Sequence, residues 1–109
     1  MTPRETKREL SRPEGERPLL LDCREADEWA VCRIEGAVLV PMGQVEQRLD
    51  ELEDEALGRG RRIIVYCHHG RRSLRVVAAL RAHGFAGAVS MAGGVDAWSL
   101  GVDPSVPRY

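Results

Sequence analysis

The sequence predicts an α/β domain built on a mainly parallel sheet with helices on both faces. Two observations carry this. Short apolar runs, Leu19-Leu20-Leu21 and Ile63-Ile64-Val65-Tyr66 among them, show no polar alternation, as expected of strands buried on both sides. These runs alternate with segments whose apolar residues recur at helical spacing.

The elements follow in order. Thr2-Pro3-Arg4-Glu5 has the form of a capping box with proline at the first helical position, so a short helix reaches to about Leu10. Few of its residues are apolar, and residues 1–17 read as a peripheral segment. Pro13, Gly15 and Pro18 mark a charged turn. Leu19 opens the first strand, which ends at Asp22-Cys23-Arg24. Glu25 to Val31 reads as one or two helical turns anchored by Trp29. Gly36 to Val40 is a second strand closed by Pro41. Gln44 to Leu57 reads as one amphipathic helix, with Val45, Leu49, Leu52 and Ala56 on its apolar face and Gly58 beyond its end. Its acidic face, Glu46 to Glu55, reads as solvated surface.

Arg62 to Tyr66 is the strongest strand, β-branched and aromatic, and Cys67 stands at its end. His68 to Arg72 forms a tight polar loop. Ser73 then reads as the N-cap of a helix over Leu74–His83, with Leu74, Val77, Ala78 and Leu80 at helical spacing and Gly84 as its stop. Ala88 to Met91 is a short strand, Gly93-Gly94 a turn, and Val95 to Leu100 a helix that buries Trp98. Residues 103–109 form a tail with two prolines, expected along the surface. Residues 1–109 read as a single domain without repeats or long linkers.

The 109 residues are 43% hydrophobic and 30% charged, a globular and not a disordered composition. Lys+Arg is 16 against Asp+Glu 17, a net charge of −1, so no global field draws the chain to nucleic acid or an anionic membrane. No apolar stretch approaches the roughly 20 residues of a membrane span. MTPRETKREL lacks a signal-peptide core, and the expected location is cytoplasmic. The cysteines, Cys23, Cys32 and Cys67, lack zinc-site or Cys-x-x-Cys spacing and read as free thiols.

Ligands of open parallel sheets collect at the carboxyl ends of the strands. Two segments put reactive groups there: Asp22-Cys23-Arg24, and Cys67-His68-His69-Gly70-Arg71-Arg72-Ser73. A loop of the second kind, closing into a helix N-terminus, can turn its N–H groups inward as an anion-binding nest. A thiol at its start has its pKa depressed and gains thiolate character. Gly70 permits the backbone turn, and Arg71 and Arg72 can add positive charge.

The arrangement resembles the rhodanese family of sulfurtransferase domains, from about Leu19 to the C-terminus. Cys67-x-x-Gly70-x-Arg72-Ser73 is similar to the family's active-site loop. Asp22-x-Arg24-x-x-x-Glu28-Trp29, Ile34-Glu35-Gly36-Ala37 with Pro41, and Gly93-Gly94-Val95-Asp96-Ala97-Trp98 look like three further family segments. Where the family often has Gly-His-Ile, this chain has Cys32-Arg33-Ile34. The resemblance implies ping-pong sulfur transfer. Cys67 thiolate would attack the outer sulfur of a small anion such as thiosulfate, release sulfite, and pass its persulfide sulfur to cyanide, a thiol or a sulfur-relay protein. The N–H groups of residues 68–73 would hold donor and persulfide, and no metal or organic cofactor is required. The charge of His68 and His69 depends on pH, which disfavours thiosulfate relative to a protein persulfide. Similar domains occur alone and fused to adenylating enzymes of sulfur-carrier metabolism.

Plainer roles stand beside these. Cys67 could be a buried thiol ending a strand. His68 and His69 lack the spacing of metal ligands with Cys67 and read as loop and substrate contacts. Arg72 is the better candidate for the site, and Arg71 reads equally as solvent-facing. Asp22 and Arg24 read as an ion pair supporting the site end of the sheet. Cys23 and Cys32 read as inert thiols, with a resolving role for Cys32 the weaker alternative. Two rival functions remain. A cysteine phosphatase or arsenate reductase needs arginine after five intervening residues, where this chain has Ser73. A non-catalytic interaction module of the same family would typically lack the cysteine.

Overall fold

A computed structural model describes residues 1–109. Four parallel strands form one sheet in the order β2-β1-β3-β4. They are β1 (Leu19–Asp22), β2 (Val38–Leu39), β3 (Ile63–Tyr66) and β4 (Ala88–Ser90). Leu19 to Asp22 pair in register with Ile63 to Tyr66. β1 and β3 are therefore the central pair, and all four residues of β3 are buried. This is why their sequences are continuous apolar runs and not alternating ones.

The strand pleat divides the core. Leu21 and Cys23 from β1, with Ile63, Val65 and Cys67 from β3, face one layer. That layer is closed by α3 (Leu49–Ala56) and α4 (Arg71–Ala82) through Leu52, Ala56, Val76, Val77 and Leu80. Leu20, Ile64 and Tyr66 face the other, closed by Val95 and Trp98 of α5 (Gly94–Gly101) and by Val106 of the tail. α1 (Pro3–Leu10) packs on α5. Its capping box is formed: Glu5 N–H donates to Thr2 Oγ1 at 3.1 Å, and Thr2 N–H to Glu5 Oε1 at 3.1 Å. No helix is long and apolar enough to cross a membrane.

Several local expectations are corrected. The helix expected over residues 44–57 is two pieces, a 3-10 turn over Met42–Gln47 and α3, broken at Arg48. Val45 and Leu52, seven residues apart, both stay on the core side across the break. The second strand keeps only Val38 and Leu39. α2 (Ala26–Val31) buries no residue, and Trp29 lies half-buried beneath the Arg33 guanidinium, 4.7 Å from its ring centroid. The helix after the loop begins at Arg71, with Gly70 as N-cap, so Ser73 lies inside its first turn. Its buried stripe is Ser73, Val76, Val77 and Leu80, while Leu74 is 62% exposed and Ala78 is exposed. The tail is more than a surface strap: Val106 is buried, and its carbonyl accepts from Ser99 Oγ at 2.5 Å.

Candidate active site

The chain leaves β1 towards β2 on one side and β3 towards β4 on the other. The strand order thus reverses between β1 and β3, where parallel sheets open a crevice at their carboxyl ends. Cys67 stands there, one residue beyond the last paired residue of β3.

Gly70 makes the turn possible. Its φ is +103°, and a Cβ there would come within 3.2 Å of Gly93 N. The loop wraps Cys67 Sγ so that Gly70 N–H donates to it at 3.1 Å and Ser73 N–H at 3.4 Å. Ser73 Oγ stands 3.6 Å from the same sulfur and 2.7 Å from Ser90 Oγ. The sulfur also sits at the positive end of α4. Gly94 supports the loop from below. Its φ is +62°, and a Cβ there would collide with the carbonyl oxygens of Cys67 and His68.

Cys67 is 1% exposed, and burial alone would raise its pKa. The neighbouring Cys23 thiol acts most strongly the other way, followed by the Ser73 hydroxyl and the Ser73 and Gly70 amides. The result is a pKa lowered to about 4, a thiolate at neutral pH. Cys23 is 0% exposed, and its pKa is raised by the Cys67 sulfur and by burial, so it stays protonated. The charge therefore resides on Cys67.

The remaining residues form the rim and its support. The Arg24 guanidinium is fully buried and pairs with Asp22, Nη2 to Oδ2 at 2.7 Å. It also donates to the Cys32 carbonyl at 2.6 Å and to Tyr109 Oη at 2.7 Å. Burial opposes its charge, but these partners outweigh burial and raise its pKa. Arg72 forms a bidentate pair with Glu28, at 2.6 and 2.8 Å. Arg71 is exposed. His68 is stacked between His69, at 3.9 Å between ring centroids, and Tyr109, at 3.8 Å and 10°. Burial, and then His69, lower the His68 pKa, leaving the ring neutral.

Sequence reasoning missed four members of this site. The sequence reads Cys23 as an inert thiol, and only the strand register sets it beside Cys67. Glu28 belongs in the sequence to the Asp22-x-Arg24-x-x-x-Glu28-Trp29 pattern, and nothing local marks it as the partner of Arg72. Tyr109 belongs to a tail expected along the surface, and only its contacts reveal its place in the site: its hydroxyl donates to Glu28 Oε1 at 2.9 Å. Asp96 brings a carboxylate within 4.8 Å of ligand atoms on His68 and His69. That carboxylate is held by Arg108 at 2.8 Å, and the two rings are stacked 25° apart, so their in-plane nitrogens do not converge on one ion.

A family model described as "Rhodanese-like domain" matches residues 2–100. The chain belongs to the rhodanese-like family. It is 38% identical over 98 residues, 88% of its length, to the maize protein "Adenylyltransferase and sulfurtransferase MOCS3-2". It is 32% identical over 111 residues to the Mycobacterium tuberculosis protein "Probable adenylyltransferase/sulfurtransferase MoeZ". The chain spans 20% of the maize protein and 26% of the mycobacterial one. Among solved structures, a rhodanese-like domain protein from Staphylococcus aureus aligns over 100% of this chain and 96% of its own, with TM-score 0.80 and 28% identity. The human single-domain sulfurtransferase TSTD1 shares the fold, with TM-score 0.79 and 23% identity over 93% of this rhodanese-like chain and 95% of its own.

Proposed function

We propose that this rhodanese-like domain is a sulfurtransferase whose nucleophile and sulfur carrier is Cys67. One observation carries the reading: a thiolate-prone sulfur lies at the focus of the Gly70 and Ser73 amides, at 3.1 and 3.4 Å. In the first half-reaction the Cys67 thiolate attacks the outer sulfur of a sulfane donor. The donor's S–S bond breaks, its remainder leaves with the bonding pair, and Cys67 keeps one sulfur as a persulfide. In the second, an acceptor nucleophile attacks that outer sulfur and the electron pair returns to Cys67. The anionic outer sulfur takes the place of donor charge in the loop, where inward N–H groups stabilise it. The chain's own residues suffice for both steps.

The loop also supports this reading over phosphate or arsenate chemistry. A tetrahedral oxyanion needs a guanidinium over the loop, and here Arg72 is committed to Glu28. The donor is better read as a persulfide on a small thiol or protein than as thiosulfate. Of the two loop arginines one is neutralised by Glu28, and His68 is held neutral, so little free positive charge faces a dianion. The names of the maize and mycobacterial relatives, which join adenylyltransferase and sulfurtransferase, agree with a place in a sulfur relay.

Intact-mass spectrometry tests this. Incubation with a cysteine persulfide should add one sulfur atom at Cys67 within seconds, thiosulfate should add it more slowly, and cyanide should remove it. If neither donor leaves sulfur on Cys67, the reading is wrong.

A further inference from the structure

Cys23 is a second buried thiol in contact with the nucleophile, and the transfer cycle gives it no chemical step. Asp22 and Tyr66 are the last in-register pair of β1 and β3, and Cys23 and Cys67 are the next residues of each strand. Cys23 N–H donates to the Tyr66 carbonyl at 3.0 Å, which carries the parallel pairing to the edge of the site. Side chains of one strand alternate between faces, and in-register neighbours share a face. Leu21, Cys23, Val65 and Cys67 accordingly lie in one core layer. Neighbouring strands lie about 4.8 Å apart, inside the Cα separation of roughly 4.4–6.8 Å that a disulfide spans.

We propose that Cys23 is a resolving thiol that attacks the Cys67 persulfide at its inner sulfur, releasing hydrosulfide and leaving a Cys23–Cys67 disulfide. The proposal rests on the persulfide reading above. The step balances. Cys23–SH and Cys67–S–S⁻ become Cys23–S–S–Cys67 and HS⁻. The bond from Cys23 Sγ to Cys67 Sγ forms and the bond from Cys67 Sγ to the outer sulfur breaks. The outer sulfur is reduced by two electrons, the two cysteine sulfurs are oxidised, and the Cys23 proton ends on the hydrosulfide. No outside oxidant is needed, because the sulfane sulfur is the oxidant. A small dithiol returns the pair to the reduced state, so the domain becomes a sulfide-releasing enzyme when acceptors are scarce.

The geometry favours this over attack by another thiol of the chain. Cys23 reaches Cys67 from the strand side, while the Gly70 and Ser73 amides meet the sulfur from the loop side. The outer sulfur of a persulfide would enter that loop, and resolution requires Cys23 to meet Cys67 Sγ from the side away from it. Cys32 lies in the other core layer and is oriented to Arg24. Because Cys23 is held protonated, resolution is slow and transfer to a good acceptor outruns it.

The test uses the full chain, loaded with a cysteine persulfide, freed of small thiols, and held without acceptor. Sulfide is measured with time beside the intact mass. The wild type should release about one sulfide per chain, lose the added sulfur, and end two hydrogens lighter than the reduced protein, with Cys23 and Cys67 in one disulfide-linked peptide pair. C23V and C23A, two replacements that keep the site apolar, should load Cys67 more slowly because they remove the strongest contribution to its thiolate character, and once loaded should retain the added sulfur, with sulfide release per loaded chain at least about tenfold lower. Persulfide that forms on Cys67 and persists equally in wild type and variants overturns the resolving role and leaves the transfer reading standing. Absence of added sulfur on Cys67 in every protein overturns both.

Discussion

The Arg72 guanidinium and the Glu28 carboxylate meet in a bidentate pair across the mouth of the Cys67 loop, at 2.6 and 2.8 Å. The pair ties α4 to α2. Arg72 thereby shapes the rim, and its charge still acts on Cys67 from there.

The pair makes a pH-dependent contribution to stability. Arg72, with help from the Glu25 amide and Tyr109, lowers the Glu28 pKa to about 2. A depressed carboxylate stabilises the fold above its unfolded pKa, about 4.3, and the contribution is lost as pH falls through about 2. Both side chains are partly exposed, so Glu28→Gln should cost about 1 kcal/mol at pH 7. Urea midpoints of wild type and variant should differ at pH 7 and converge near pH 2.

Cys67 should alkylate as a thiolate well below neutral pH. Iodoacetamide labelling against pH should show a midpoint near 4 for Cys67. Cys23→Val removes the strongest contribution to that depression and should shift the midpoint upward. The linkage has the same sign as for a carboxylate: stability from the depressed thiol is complete above its unfolded pKa, about 8.5, and is lost as pH falls to about 4.

Cys67→Ser should abolish sulfur transfer and leave the fold. The hydroxyl fits the same amide cradle, but an alcohol there is neither ionised nor able to carry sulfane sulfur. Circular dichroism should match the wild type while turnover falls to the uncatalysed background. Retained turnover would assign the chemistry to another residue.

Gly94→Ala should damage the site from below. The new Cβ meets the carbonyl oxygens of Cys67 and His68 in a left-handed backbone that disfavours it. A loss of about 3 kcal/mol in urea denaturation is expected, with slower Cys67 labelling. Ala97→Gly, one turn along α5, serves as the control without that collision.

Tyr109→Phe separates two roles of the tail. Phenylalanine keeps the ring on His68 but leaves Arg24 Nη1 and Glu28 Oε1 without the hydroxyl between them. The expected cost is about 1 kcal/mol, with His68 still shielded from diethylpyrocarbonate. Tyr109→Ala should lose the stability and the shielding together.

The parallel sheet was legible because β1 and β3 are buried on both faces, and such strands can only be apolar throughout. The loop was legible because an anion nest needs glycine for the turn and a helix behind it. What escaped was set by contacts distant in the chain. Nothing local distinguishes Leu74 from Val76 as the outward residue of α4, since the stripe is fixed by where Gly70 starts the helix. Ser73 looked like a cap because serine favours that position, yet the turn belongs to Gly70. Tyr109, Glu28 and Arg72 are brought together only by the finished fold, and a polar side chain carries no sign of its distant partner.

The stacking of Tyr109 on His68 has a consequence for the order of assembly. During synthesis Tyr109 follows every residue it touches, so β1, β3 and the Cys67 loop are made before the ring that covers His68. A nascent chain therefore carries Cys67 before its rim is finished. Loosening of the segment that holds Tyr109 would uncover His68 and free Glu28 and Arg24 of their shared hydroxyl without breaking any β1–β3 hydrogen bond.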